Sequence, residues 1–566
     1  MTEQQSQLTL EFLNPDARMA EVGNGSCYLL GCEDVAESEI SDLLAGGDVA
    51  SFCKRNRGAL IVKVELADGR ARWLRVWRGL FSTAEFYYSL AAAEEVIVSD
   101  HFRNVIVRLP RAARYPSEDA VVQHYLYRRP YGHLTYSAHI SKVGQAEEVV
   151  LDLLDGEATV SVFDRVDSGV VERPRDEYLE MIDAELQTAM QGVRGDDRAA
   201  LLFSGGVDST LLLAYLGDKV QPVTFVPDTP EFATETEYAR AAAALLEVSI
   251  NEVPTPERDF LQMVEFNTET LGTPSADDSS PYFTQIVTSQ PNGRFVFGQG
   301  ADAAFGISLK LARFSSWFRW PIARQTVNAS SRWMPGHLGY RLGQVGPIAN
   351  RFSRSFLDSR GYAATARVSG HTPLLERVFG LEAIEEAGQS SLDYALERVV
   401  PIADPASRFF SHVELAHWHI VMANPMTLRH AACQAAGKRA FGPFCAPNIL
   451  NALATIPVRD RYIRGMSAKW ILKDLLKRKV PDYPVYKRKK ATALPWQRFY
   501  ENGPLTGIWE RYEVPDLFSG EDRSELTARP IATTWVAISH AIWLERVVRN
   551  ADLKPHDPAM RAEFPI

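Results

Sequence analysis

Cysteine is scarce in this chain. Five occur in 566 residues (Cys27, Cys32, Cys53, Cys433 and Cys445), with no Cys-x-x-Cys pair and no histidine at metal-ligand spacing. That scatter excludes a disulfide framework and a structural zinc, and it points to a reducing compartment. The twelve histidines show no ligand spacing either, and His124, His133 and His139 are expected to belong to the N-terminal fold. No apolar run approaches the ~20 residues of a membrane-spanning helix. The first thirty residues are polar and acidic, so no signal peptide is expected, and the expectation is a soluble, cytoplasmic protein. Positive charge is not in excess: 61 Lys and Arg against 71 Asp and Glu leave a net charge of −10, which argues against general affinity for nucleic acid. Internal repeats, heptads and low-complexity tracts are missing as well. The length implies more than one domain with ample apolar material for sizeable cores.

The most informative stretch is Ala200–Leu216. Ala199 to Phe203 reads as a buried parallel strand and Leu211 to Leu216 as the helix after it. Between them lies Ser204-Gly205-Gly206-Val207-Asp208-Ser209. Two glycines permit a tight turn, and serines with the N–H groups of a helix start make an anion nest. The Lys-Ser/Thr ending of a Walker loop is missing. Asp208 is an acid where phosphate would bind, which is unfavourable unless a divalent cation lies between them. The motif resembles the PP-loop of ATP pyrophosphatases, which split ATP into AMP and pyrophosphate.

Residues 1–165 carry short apolar runs rich in aromatic and β-branched residues: Ala59–Glu65, Arg72–Trp77, Val96–Ser99, Val105–Leu109 and Glu148–Leu154. These predict an antiparallel, sheet-rich domain. From about residue 175, strand and helix patterns alternate: Pro222–Val226 a strand, Glu235–Leu246 a helix, Ser249–Pro254 and Arg294–Phe297 strands. Alternation predicts a parallel sheet covered by helices. The remainder, from about 308 to 550, reads as mostly helical, and 551–566 as a tail.

The Arg294–Phe297 strand runs into Gly298-Gln299-Gly300-Ala301-Asp302, so a second acid stands at a strand's C-terminal end, where open α/β sheets bind ligands. Asp208 and Asp302 are placed to share one Mg2+ on a nucleotide phosphate. With both motifs, the chain resembles the asparagine synthetase-like amide-forming enzymes, almost end to end. Gly442-Pro443-Phe444 followed by Ile449–Pro457 is similar to that family's Arg-Pro-Phe-Leu-Asp turn and helix, and Lys469-Trp470-Ile471-Leu472-Lys473 to its Lys-x-x-Leu-Arg helix start. Val480-Pro481 through Arg488-Lys489-Lys490 to Pro495 resembles the stretch whose lysine sits on the nucleotide phosphates; the register favours Lys490 over Lys489. Gly58–Val62 with Phe86-Tyr87-Tyr88, and His124–Leu126 through Thr135 to Ile140, resemble the family's glutaminase-type Ntn domain.

Three departures narrow the resemblance. A working glutaminase domain uses an N-terminal cysteine with its own α-amine as base, and position 2 here is Thr2. Where asparagine synthetases carry Gly-Glu-Gly-Ala-Asp-Glu, this chain has Gln299 and Ala303; a neutral amide orients a nucleophile but takes no proton from it. The β-lactam synthetases and lasso-peptide cyclases also change that position and lack the cysteine. Lastly, no Asp or Glu occurs from Ala303 to Leu357, where Lys310 and seven arginines, Arg313 to Arg354, are interleaved with Trp317, Phe318, Trp320 and Trp333. That segment is either a pair of amphipathic helices with snorkelling arginines or a docking surface for an acidic or large substrate, with membrane-surface contact a third reading. The basic cluster from Lys473 to Lys490 reads as a solvated helix face, apart from the lysine just named.

The expected fold is an α+β Ntn-hydrolase-like sandwich over residues 1–165 and an α/β PP-loop (adenine nucleotide α-hydrolase-like) parallel-sheet domain with added helices over 175–550. The expected chemistry is ATP-dependent amide formation through an acyl-adenylate, with ATP and Mg2+ as cofactors and no use of glutamine. Leu202, Phe203, Phe225 and Val226 are expected to frame adenosine, and Ser204, Gly205, Gly206 and Ser209 to bind pyrophosphate, with Gly298 and Gly300 completing the nucleotide site. Asp208 and Asp302 would hold the metal, Lys490 would stabilise developing charge, and Gln299 would face the nucleophile. Asp277 and Asp278 could hold or deprotonate a substrate amine, or form an exposed turn. The expected partners are a carboxylate and an amine, on a peptide or a small molecule, and a precursor peptide or its processing protein in a macrolactam (lasso-type) route. β-Lactam-type closure, ligation of a sugar acid or amino acid, glutamine-dependent asparagine synthesis and a non-catalytic binding module are the alternatives.

Overall fold

A computed structural model describes residues 7–566 apart from 24, 34, 91–94, 168, 194–197, 276, 307–372, 400–417, 419–425, 465–466, 487–493, 529 and 531. The N-terminal part is a sandwich of two sheets. Its strands are β1 (Gln7–Phe12), β2 (Arg18–Val22), β3 (Gly25–Leu30), β4 (Leu60–Ala67), β5 (Arg70–Arg78), β6 (Tyr87–Ser89), β7 (Glu95–Ser99), β8 (Ser141–Lys142), β9 (Glu147–Asp152) and β10 (Glu157–Val162). One sheet runs β10-β9-β5-β4-β3-β2, antiparallel throughout. The period-2 geometry of a strand sorts β4: Leu60, Val62 and Val64 face the second sheet, while Ile61 packs with Phe52 and Cys53 of the helix Val49–Arg55. Both faces are covered, which is why β4 begins as an unbroken apolar run.

Val105–Leu109, expected as a strand, is mostly helix and turn. The helix Phe102–Ile106 takes its place. Phe102, Val105, Ile106 and Leu109 stand at i, i+3, i+4 and i+7 and bury together with Trp543 and Val547, so the helical period wins over β-branched composition. The segment 551–566, expected as a tail, ends in a strand (Met560–Pro565) that pairs antiparallel with β1 from Gln7↔Pro565 to Phe12↔Met560. Its Met560, Ala562 and Phe564 pack on the sandwich core, while Arg561 and Glu563 alternate outward. This strand therefore forms the edge of the other sheet, outside β1.

The second part is a parallel five-stranded sheet built from β11 (Ala199–Leu202), β12 (Val220–Pro227), β13 (Asn251–Thr255), β14 (Arg294–Val296) and β15 (Arg439–Phe441) in the order β13-β12-β11-β14-β15. The parallel sheet expected from the alternation is present. β15 lies in the region expected to be helical: three residues opening with an arginine leave no apolar run to read. The chain winds outward from β11 to β13, then returns to start β14 on the other side of β11. Such a reversal leaves a crevice at the carboxyl ends of β11 and β14. Both glycine-rich loops emerge there.

A short hairpin of β16 (Ile463–Arg464) and β17 (Ser467–Ala468) precedes the helix Trp470–Lys479; the strand Met560–Pro565 is thus β18. The two parts are clamped by Arg398 and Glu147, both fully buried and ion-paired; Arg398 Nε also donates to the Gln145 carbonyl at 2.8 Å.

Candidate functional site

The Ser204–Ser209 segment leads from β11 into the helix Val207–Leu216, which starts just after the second glycine rather than at Leu211. Gly205 has φ +66°, and a Cβ there would run into the backbone of Tyr238 and Ala239, so only glycine fits. Gly206 is the N-cap. The loop is tied to itself through its hydroxyls: Ser204 N–H donates to Ser209 Oγ at 3.3 Å, and Gly206 N–H donates to Ser204 Oγ at 3.4 Å. Tyr483 fixes the outside of the turn, its hydroxyl donating to the Gly205 carbonyl at 2.7 Å. The result is a concave backbone at the positive end of a ten-residue helix, suited to an anion.

The second loop follows β14. Gly300 has φ +94° and backs onto Cys445 Sγ, which leaves no room for a Cβ. It caps the short helix Ala301–Phe305, whose second residue is Asp302. The loops touch: a Cβ on Gly298 would lie 3.6 Å from Asp208 Cβ. Asp208 and Asp302 converge as expected. Between them stands Lys469, with Nζ 2.7 Å from Asp208 Oδ2 and 2.6 Å from Asp302 Oδ1. Burial alone would lower the Lys469 ammonium's pKa, but the two carboxylates outweigh it and hold the pKa above its ordinary value. One position thus has two hard carboxylate oxygens within 2.7 Å of a cation. That donor set suits Mg2+, which takes one or two carboxylates plus phosphate oxygens.

A cavity of about 320 Å³ opens on this point. Leu202, Phe203, Ser204, Asp208 and Ser209 line it from the first loop, and Gly298, Gln299 and Asp302 from the second. Its far wall is aromatic: Phe225, stacked on Tyr282 at 5.0 Å, together with Phe283 and Phe297. A planar base bounded by rings and apolar strand ends is well accommodated there. Val226, expected in the adenosine frame, is not in the lining. From β12 the lining takes Val223, Thr224, Phe225 and Pro227 and leaves Val226 out. Gly205, Gly206 and Gly300 shape the loops from behind without lining the cavity.

Asp277 and Asp278 also stand outside the lining, whereas Ser279 is part of it. Asp277 is committed elsewhere: Arg429, buried on the helix Thr427–Ala435, donates to its Oδ2 at 3.1 Å, and Ser279 N–H donates to Oδ1 at 3.0 Å. Burial raises the Asp277 pKa, but Arg429 and these hydrogen bonds more than offset it and hold the carboxyl below the usual range. Burial and the neighbouring Asp277 push Asp278 up. The Arg429 guanidinium also lies 3.9 Å from the centre of the Phe283 ring and 3.2 Å from Ser279 Oγ, so it braces two cavity residues at once. Lys490 and Lys489 lie outside the described residues, as does the acid-free segment beyond Gly306.

Lys469, Tyr483 and Arg429 were not assigned to the site from sequence. Lys469 had a signal: it opens the Lys-Trp-Ile-Leu-Lys helix start, and two acids at adjacent strand ends need a cation. Tyr483 and Arg429 are ordinary residues in sequence, and only the folded chain brings them 278 and 152 positions back to Gly205 and Asp277. No curated protein matches the chain in sequence. The asparagine synthase family profile matches residues 181–512, which takes in the parallel sheet, both loops, Lys469 and Tyr483. The chain belongs to the asparagine synthase family, whose members form amide bonds at the expense of ATP.

Proposed function

We propose that this chain activates a carboxylate as an acyl-adenylate, releasing pyrophosphate, and then joins it to an amine without drawing ammonia from glutamine. The observation that carries the reading is the meeting of the Ser204–Ser209 nest with Asp208, Asp302 and one cation at the mouth of an aromatic cavity. Phe225 and the ends of β11 and β12 hold the adenine side. Backbone N–H groups of the 204–209 loop receive the β- and γ-phosphates, leaving the α-phosphate toward Gln299 and Ser279. The carboxylate oxygen attacks the α-phosphorus, the bond to the β-phosphate oxygen breaks, and the amine later displaces AMP from the acyl carbon. Lys469 and, by resemblance, Lys490 supply positive charge to the departing pyrophosphate. Mg2+, held by Asp208 and Asp302, would neutralise phosphate charge. Gln299 donates or accepts a hydrogen bond at the nucleophile, so the amine's proton leaves by another route.

One sequence feature supports independence from glutamine: Gln299 in place of glutamate. It agrees with a synthetase for specialised biosynthesis, closing a peptide macrolactam or a β-lactam-type ring, in which the substrate brings its own amine. Incubation with ATP, Mg2+ and a panel of peptides, amino acids and sugar acids tests this. AMP with pyrophosphate is expected, and Asp208→Asn abolishes it. ADP with phosphate overturns adenylation, and glutamine-driven product formation overturns the amine assignment.

A further inference from the structure

Lys469 is delivered to the acid pair by deliberate backbone geometry. It follows the β16–β17 hairpin, adopts φ +56°, a region costly for a side-chain-bearing residue, and is the N-cap of the helix Trp470–Lys479. Its stem is 15% exposed and threads past Gly306, where a Cβ would lie 3.2 Å from Lys469 Cε. At 2.7 and 2.6 Å from the two carboxylates, the ammonium fills the space a divalent cation would need. A second cation stands one turn on: Lys473 Nζ donates to Ser467 Oγ at 3.1 Å. Burial first, and then the charge of Lys469, lowers the Lys473 pKa, so the two ammonium groups feel each other.

Taking Asp208 and Asp302 as metal ligands, we propose that Lys469 is a built-in counter-ion that keeps a divalent cation out of their site until a nucleotide's phosphates draw the ammonium away. A bare metal ion meets two lysines and a pair of carboxylates each already ion-paired to Lys469. A polyphosphate in the adjacent nest reverses the sign of the local field. It also offers Lys469 a new partner within reach of its flexible four-carbon stem. The carboxylates are then released to the metal the phosphates bring. Metal entry is coupled to nucleotide entry, and before loading Lys469 keeps Asp208 and Asp302 aligned instead of repelling one another.

Protein-bound Mn2+, followed by electron paramagnetic resonance on the full chain, tests this. Wild-type protein takes up Mn2+ weakly alone and strongly with α,β-methylene-ATP; equal affinity in both conditions overturns the proposal without any variant. Lys469→Met and Lys469→Gln, checked for fold by circular dichroism, bind Mn2+ alone at least about tenfold more tightly than wild type, because one cation no longer competes with the other. Unchanged or weaker binding in the folded variants overturns it too. Asp208→Asn with α,β-methylene-ATP tests the underlying reading separately: wild-type Mn2+ affinity there means that Asp208 is not a ligand, whatever Lys469 does.

Discussion

The Tyr483 hydroxyl donates to the Gly205 carbonyl at 2.7 Å, pinning the outer edge of the phosphate nest to the turn that follows the Lys469 helix. The two segments that carry the site's opposite charges are therefore one mechanical unit. Tyr483→Phe removes a single hydrogen bond, worth about 1 kcal/mol, and leaves the ring in place. Weaker binding of an ATP analogue by about fivefold, with little change in melting temperature, is the expected outcome of isothermal titration.

Gly205 is held at φ +66° against the backbone of Tyr238 and Ala239. Gly205→Ala adds about 1–2 kcal/mol of left-handed strain and a backbone clash. Thermal melts should fall and ATP-analogue binding should be lost together. Gly293→Ala is the matched control, since nothing lies within 4 Å of a Cβ there.

Arg429 and Asp277 form a pair behind the cavity wall. Arg429→Met leaves Asp277 without its guanidinium and should cost about 2 kcal/mol. Asp277→Asn in the same background should recover part of the loss, with a coupling energy of about 0.5–3 kcal/mol in a urea double-mutant cycle. Asp277 is depressed in the folded chain, so its contribution is present above the unfolded carboxylate pKa and is lost as pH falls through the folded value. Strict additivity of the two substitutions would refute the pairing.

Burial lowers His540 to about 4, and its Nδ1 is 3.2 Å from the Tyr125 hydroxyl. A depressed histidine gives stability that is complete above its unfolded pKa of about 6.5 and is lost as pH falls from there toward the folded value. His540→Gln should flatten the pH dependence of unfolding free energy by about 1.4 kcal/mol per pH unit between roughly 5 and 6. Asp100, raised by burial to about 7, acts with the opposite sign, losing its contribution as pH rises.

The first loop was legible because every residue type between Ala199 and Leu216 answers to one local demand, a buried strand turning into a helix around an anion. The second was legible through Gly300 and Asp302 for the same reason. Their meeting depends on β14 lying beside β11, a strand order that alternation alone does not give. Val105–Leu109 reads as a strand because its β-branched residues mask the helical spacing that begins at Phe102. Arg429 and Tyr483 were invisible for a deeper reason: each acts across more than 150 residues of chain, and no local pattern marks such a partner. Lys469 stood between these cases, noticed as a helix start and unrecognised as the cation the acids required.

Transfer of oxygen from substrate to nucleotide tests the account most directly. With a turned-over carboxylate substrate carrying heavy-isotope oxygen, the account predicts one labelled oxygen in the phosphate of the AMP released, because the carboxylate attacks the α-phosphorus and leaves its oxygen there. Label in inorganic phosphate beside ADP, with none in AMP, would contradict it.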